Sequence, residues 1–254
     1  MAETVFNSIP KMIYQEPAID CNFEEFKKVV NSRRSVRVYT DEKIPDAIVE
    51  ECLDLALLAP TSSNLQSWEF HWVKDPAKLK LLQEACLGQP AATTSQTLIV
   101  AVARTNTWKQ IRAMHLDLIK GQDVPKSFRN YYEKLVPFVY NPGPLGLFGW
   151  VKKIAASVVG LWRVMPREPF TKTELKTWAI KTTALACENL MLAFRAAGYD
   201  TCPMEGYDSA RVSKLLNLPR GATPVMVISA GKRGANGVYG KRVRFDRELF
   251  IKRH

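Results

Sequence analysis

Histidine is nearly missing from this 254-residue chain, which carries only His71, His115 and His254, in unrelated settings. An imidazole-built metal centre and a Ser/His/Asp hydrolase both need a histidine placed beside another reactive group, so both are excluded as readings. Cysteine supplies no metal site either. Cys21, Cys52, Cys86, Cys187 and Cys202 are odd in number, scattered and without a C-x-x-C pair, which reads as free thiols in a reducing compartment. No apolar run approaches the roughly 20 residues of a spanning helix. The stretch that comes nearest, residues 154–162, is far shorter and flanked by Lys152, Lys153 and Arg163. The opening MAETVFNSIPKMIYQEP has Glu3 and no signal-peptide run, so the expectation is a cytoplasmic protein. Internal repeats and low-complexity segments are absent too, and 46% hydrophobic with 24% charged residues excludes disorder and coiled coil.

What is present in excess is positive charge: 36 Lys and Arg against 25 Asp and Glu, a formal net charge of +11. The excess is lopsided. Residues 1–127 hold 15 basic and 16 acidic side chains, whereas residues 128–254 hold 21 and 9. The second half therefore suits an anionic partner: a phosphate-bearing cofactor, an acidic membrane surface or nucleic acid.

Periodicity organises the chain as one domain over residues 1–254, long enough to bury a sizeable core. Residues 23–31 read as a short amphipathic helix, and Pro45 and Asp46 open a second that stops at Pro60. Residues 68–73 alternate as a strand, with Trp68, Phe70 and Trp72 on one side. Residues 78–86 predict a helix, and the apolar run 98–103 a strand covered on both faces. Thr107 and Gln110 suggest a capping box for a helix ending near Gly121. Residues 137–170, bracketed by prolines and rich in basic, aromatic and apolar residues, predict an insertion with its own helix and a possible lid role. Residues 173–197 predict the longest helix, apolar nearly all round from 184 to 194 and therefore buried. A strand to Pro203, a helix at 209–216 and a strand at 224–230 follow. The class is α+β or mixed α/β, a central sheet flanked by helices.

Four segments carry the chemistry. Arg33, Arg34, Ser35 and Arg37 offer guanidinium forks and a hydroxyl suited to a phosphate, or else form a solvated turn. Ser62, Ser63, Asn64 and Gln66 present hydroxyls and amides able to bond a flat heterocycle; the plain alternative is a loop of turn formers. Pro203, Met204, Glu205 and Gly206 form a turn whose glycine admits a ligand close to backbone, and Glu205 has no second carboxylate spaced for acid–base work. Cys202 lacks a histidine near it in sequence and reads as a small filler. Lys241, Arg242 and Arg244 close a glycine-broken basic tail, with both arginines on one side of an extended chain. Such a tail could track nucleic acid, but no known nucleic-acid module is recognisable and that partner is unlikely.

In this order and spacing, the segments RRSVR, APTSSNLQSWEF, WAIKTTALACENLMLAFRAAGYDTCPMEGYD and the late Arg-x-Arg resemble the nitroreductase family of FMN-dependent flavoproteins. The resemblance covers residues 24–120 and 173–247. It implies an FMN-binding fold, an intertwined homodimer with the long helix at its centre, and NADH or NADPH as reductant. Hydride would pass through flavin to nitroaromatic or quinone-like acceptors in a ping-pong cycle, with the flavin and no side chain carrying the chemistry. It assigns Arg33, Arg34, Ser35 and Arg37 to the FMN phosphate, ribityl chain and pyrimidine edge. Lys241, Arg242 and Arg244 would grip the phosphate, and Pro203, Met204, Glu205 and Gly206 would lie against the ring. Gln89 is the candidate amide before the central strand. Ser62, Ser63, Asn64 and Gln66 would reach the flavin of the other subunit. Ser67 and Arg37 depart from the usual Pro and Lys without removing a donor or charge. Two alternatives stand beside this: a flavoenzyme of the same family with other chemistry (dehalogenation, heterocycle dehydrogenation, flavin breakdown), or a basic membrane- or nucleic-acid-binding protein. Peripheral membrane contact through residues 137–170 belongs to the same set of expectations.

Overall fold

The aromatic alternation at Trp68, Phe70 and Trp72 builds β1 (Trp68–Val73), and the apolar run after it builds β2 (Thr97–Arg104). A computed structural model of the chain describes residues 16–254; the segment read as lacking a signal run falls largely outside the described residues. With β3 (Asp200–Met204) and β4 (Ala222–Gly231) the strands form a sheet in the order β1-β2-β4-β3. Every neighbouring pair is antiparallel. The alternatives left by the sequence therefore resolve to α+β. The register places Ile99 opposite Ile228 and Val100 opposite Val227. A slip between Ala101 and Val102 accommodates Pro224, which has no amide to give the ladder.

Helices cover both faces. In chain order they are α1 (Phe23–Ser32), α2 (Asp46–Leu57), α3 (Pro76–Ala85), α4 (Pro90–Thr93) and α5 (Trp108–Leu118). Then come α6 (Lys126–Asn130), α7 (Val136–Tyr140), α8 (Leu147–Val159), α9 (Lys172–Ala196) and α10 (Ser209–Leu215). Ile99, Ala101, Ile228 and Ala230 pack against Val49, Cys52 and Ala56 of α2 and Cys187, Leu190 and Phe194 of α9. Leu98, Val100, Val102 and Val227 meet Leu82 and Ala85 of α3 and Val212 of α10 on the other face. Alternation along β2 thus feeds two cores at once.

One local expectation is corrected. Thr107 makes no cap: its backbone is already helical, so its hydroxyl cannot turn back to the first-turn amides, and Thr107 Oγ1 is buried without a partner. Helical backbone runs through Pro137, from Lys126 by way of a π turn at Tyr131–Leu135 into α7. The proline cannot donate to the preceding turn. Arg112 takes up carbonyls there, with Nε on Tyr132 O (2.5 Å) and Nη2 on Glu133 O (3.2 Å). Within the single chain, one side of α9 is left uncovered. Ala179, Ala186, Leu190 and Phe194 face the core, while Lys181, Leu185 and Glu188 lie outside.

The start of α9 is a full capping box. Glu174 N donates to Thr171 Oγ1 (3.2 Å), and Glu174 Oε2 accepts from the Thr171 and Phe170 amides (3.0 and 2.9 Å). Lys153 of α8 pairs with the other carboxylate oxygen. Burial alone would raise the Glu174 pKa. The hydrogen bonds from Lys153 and the two amides, with the lysine charge, overcome this and hold the carboxyl at about 2. An unfolded glutamate titrates near ~4.3, so this stabilisation is complete above that pH and fades as pH falls toward 2. Glu174→Gln should cost about 1 kcal/mol at neutral pH in urea unfolding, the difference between a charge-assisted and a neutral bond. The gap between the two proteins should narrow steadily below about pH 4.3, and a gap that stays constant would refute this role for the charge.

Candidate functional site

Residues 33–40 leave α1 as a strap laid along the outer edge of β3. Ser35 bridges Thr201, Val36 N donates to Thr201 O (3.1 Å), and Tyr39 bridges Arg233. The Tyr39 hydroxyl reaches Ser229 Oγ (2.9 Å) on β4. Val36 is wholly buried, and the polar residues on either side of it are left outward. The chain's tail returns across them. Arg37 N donates to Gly237 O (2.7 Å), Arg34 Nη2 to Gly240 O (2.5 Å), and Arg242 Nη2 to Arg33 O. Glycine is needed at 237 for this approach, since a Cβ there would stand 2.7 Å from Val38 O.

Strap and tail enclose a cavity of about 280 Å³ lined by Arg33, Arg34, Ser35, Arg37, Lys241, Arg242 and Arg244, with Tyr239 beside Arg37 (5.4 Å, guanidinium to ring centre). Among the described residues no carboxylate pairs with any of these cations. Partial desolvation, and then Arg34, Arg244 and Arg33 beside it, push Arg242 below the ordinary guanidinium range. Convergent guanidinium forks without a counter-charge make an anion cup, and their geometry suits phosphate oxygens.

The cup continues along the same edge to the end of β3. Cys202 is buried, and burial holds its thiol above the ordinary range despite Arg37 and Arg33 nearby, consistent with a filler role. Met204 is buried, whereas Glu205 and Gly206 are exposed. Gln89, between α3 and α4, donates Nε2 to Gly206 O (2.7 Å) and Cys86 O (3.0 Å), which fixes the turn. A Cβ on Gly206 would meet only Gln89 Nε2, at 3.8 Å, so the space over the turn is open. One chain therefore gathers Arg33 to Arg37, Gln89, Pro203 to Gly206 and Lys241 to Arg244 around one edge of the sheet.

It does not bring Ser62, Ser63, Asn64 and Gln66 there. That loop precedes Trp68, which pairs with Ala103, while the strap pairs with Thr201, which is level with Ala230 and Thr97. The two pieces sit at opposite edges and opposite ends of the sheet, three strand spacings or roughly 14 Å apart in the pairing direction alone. The loop is strained: Ser63, Asn64 and Gln66 have φ of 57°, 49° and 45°, in the left-handed region that glycine favours. Side chains that the sequence reading passed over hold it. Ser63 Oγ meets Tyr131 OH (2.6 Å), and Tyr140 OH lies 3.1 Å from both Ser62 Oγ and Ser63 Oγ. Tyr132 OH donates to Ser63 O (3.2 Å), and His115 Nε2 donates to Asn64 O (2.9 Å). The sequence signal for these partners is the tyrosine spacing in YYEKLVPFVY. Among the described residues no His, Cys, Asp and Glu cluster could hold a metal.

Fold and site together define an antiparallel α+β domain with an anion cup on one sheet edge. The chain belongs to the nitroreductase family, whose profile matches residues 30–232. It is similar to YdgI of Bacillus subtilis, a protein named as an NAD(P)H nitroreductase, at 29% identity over 87% of this chain and 95% of that one. It is also similar to the NADH dehydrogenase of Thermus thermophilus, at 27% identity over 87% and 93% of the two chains. Among solved structures, a nitroreductase-type protein of Exiguobacterium sibiricum in complex with FMN superposes with a TM-score of 0.66. It is 24% identical and covers 95% of this chain and 100% of that one.

Gln89→Ala removes the side chain that fixes the Met204–Gly206 turn. Amide hydrogen exchange at Tyr207, whose N–H donates to Glu205 O across the turn, should accelerate by roughly 2- to 10-fold, the worth of one hydrogen bond. Unchanged protection would mean that the turn is held by β3 alone.

Proposed function

We propose that this nitroreductase-family enzyme binds FMN in the basic cup. It would carry hydride from NADH or NADPH to nitroaromatic or quinone-like acceptors. The observation that carries the reading is the cup itself, a set of converging, uncompensated guanidiniums beside an open Gly206 turn. The name of the YdgI relative and the FMN in the Exiguobacterium structure support it. A phosphate monoester supplies the charge the cup lacks, so its donor set fits FMN. When bound, FMN supplies the hydride chemistry, and the protein supplies binding, orientation and electrostatics.

Each residue then has a defined task. Arg33, Arg34, Lys241, Arg242 and Arg244 hold the phosphate with Ser35 as a further donor. Arg37, steadied by Tyr239, offers fixed positive charge to the ring's electron-rich edge. Gln89 and Pro203 to Gly206 shape the surface on which the flat ring rests. Reductant and acceptor use one site in turn, and no imidazole or carboxylate pair is needed for proton transfer.

The reading also requires two chains. Ser62, Ser63, Asn64 and Gln66 lie diagonally across the sheet from the cup, so a second copy would have to present them. The outer face of α9, with Leu185 49% exposed beside Pro60, Thr61 and Ser62, is a suitable seam for a homodimer. Dehalogenation, heterocycle dehydrogenation or flavin breakdown would use the same cup; turnover of candidate acceptors under steady NADPH separates them. The cations converge on a pocket instead of lining a track, which disfavours nucleic acid as the partner.

The purified protein should be yellow, with one FMN per chain. Arg33→Ala and Arg242→Ala should each weaken FMN by ~10-fold or more, as expected for a charged hydrogen bond, and make retention more sensitive to salt. Unchanged affinity in both would place the cofactor elsewhere. Leu185→Asp should give colourless monomers in sedimentation, because it removes the exposed apolar side chain of the seam and would bury a charge in its place. A yellow monomer would overturn the two-chain site.

A further inference from the structure

Helix α8 is mounted the wrong way round for a globular surface. Gly149, Lys152 and Ala156 face the protein, Leu147, Trp150, Val151, Ile154 and Val158 face outward at helical spacing, and Trp162 in the turn just after the helix is exposed as well. Val151 and Ile154 are 62% and 63% exposed and Trp162 is 76% exposed.

This orientation is built in. Lys152 is 4% exposed, and its Nζ donates to the carbonyls of Phe138 (2.5 Å), Asn141 (2.9 Å) and Val139 (3.2 Å). The rings of Phe138, Phe148 and Phe170 surround the ammonium at 4.9–5.3 Å. Gly149 lies so close to the 170 backbone that a Cβ there would collide with Phe170 O. Rolling the helix to hide its apolar face would break the lysine's bonds and drive bulky side chains into that backbone.

Charge chooses the occupant. From 134 to 167 the chain has no Asp or Glu; Lys152 is spent on carbonyls and Lys153 on Glu174, which leaves Arg163 and Arg167 as the cations beside the apolar face. Arg163 and Arg167 are exposed at the end of the apolar face. A second copy of this face would set Arg163 and Arg167 against their own counterparts with no carboxylate between 134 and 167 to offset them. An apolar helix face with flanking cations and tryptophans near both ends matches the boundary between acyl chains and anionic headgroups.

We propose that α8 docks the protein on an anionic phospholipid bilayer, lying in the headgroup plane with its apolar face inserted about 5–10 Å. The helix does not cross the membrane, and among the described residues none is long and apolar enough to do so.

The test uses the full-length protein, purified with its flavin content measured, and two sets of vesicles. One is phosphatidylcholine alone and the other is phosphatidylcholine mixed with phosphatidylglycerol. Cosedimentation should be at least ~10-fold stronger with the anionic vesicles, since each basic residue near such a surface multiplies binding several-fold, and salt should weaken it. Brominated lipids should quench the tryptophan fluorescence. The double variant Val151→Glu/Ile154→Glu changes only outward side chains and should abolish vesicle binding, leaving FMN content and turnover of a water-soluble acceptor unchanged. No binding by the unaltered protein, or equal binding by the double variant, would overturn the proposal. A variant that instead shifts acceptor selectivity or oligomeric state, without a vesicle effect, would make this face a lid or a protein interface and overturn it equally. Flavin content is read on the same samples, so a failure of the FMN reading is seen separately.

Discussion

Asp200 is 4% exposed at the first position of β3, and the geometry of the cup depends on how its charge is met. Arg195, in the last turn of α9, reaches it at 2.9 Å, and Arg233, just beyond β4, closes on it at 3.0 and 2.6 Å. Hydrogen bonding to Asp200 is the main reason that Arg233 is held above its ordinary pKa. A buried ion pair of this kind adds little net stability, but removing one partner strands the other at roughly 3–5 kcal/mol. Its value is positional. The three groups tie the end of the long helix to the edge strand and to the start of the basic tail. The strap pairs with the next residue, Thr201, and Tyr39 bridges Arg233 itself. Both walls of the cup are therefore hung from one buried carboxylate.

The Ser62–Gln66 loop solves a different problem. Three non-glycine residues in the left-handed region cost of order 1–3 kcal/mol each, so the conformation persists only because its surroundings impose it. Tyr131, Tyr132, Tyr140 and His115 impose it with hydrogen bonds, and His115 stacks on Tyr132 at 4.5 Å. These partners come from α5 and the helical run through α7, the part of the chain least like a simple core. The loop's polar groups are thus arranged before any ligand arrives, which lowers the ordering cost of binding under the proposed two-chain site.

Strand and helix positions were legible in the sequence wherever burial follows one period. Trp68, Phe70 and Trp72 do face one core, and the run 98–103 is covered on both sides because its alternate residues enter two clusters. The cup was legible because its arginines are close in sequence at one end and joined by a glycine-permitted return at the other. What was hidden depends on topology. Nothing local in Ser62–Gln66 reports that β1 and β3 will be opposite edges of one sheet, so its distance from the cup emerges only from the pairing order. Thr107 looked like a cap because hydroxyl and amide types match a pattern that its backbone angles forbid. Nothing local at Pro137 reports that helical backbone runs through it, because the π turn that accommodates the proline precedes it and Arg112 reaches in from α5.

The two buried charges of the described core, Asp200 and Lys152, divide the protein's positive surface into two kinds. Asp200 gathers arginines whose neighbours converge on a small concave volume, where several donors can act on one multivalent anion. Lys152 is consumed internally by carbonyls and aromatic faces, and its effect is to pin α8 with its apolar strip outward and the exposed Arg163 and Arg167 at the end of that strip. Convergent donors select a single anionic group by geometry, whereas exposed cations beside an apolar face respond to the mean charge of an extended surface. The lopsided charge of the second half therefore need not have one cause. Its tail belongs to the cup, its acid-free stretch belongs to α8, and no cation lining the cup lies in that stretch.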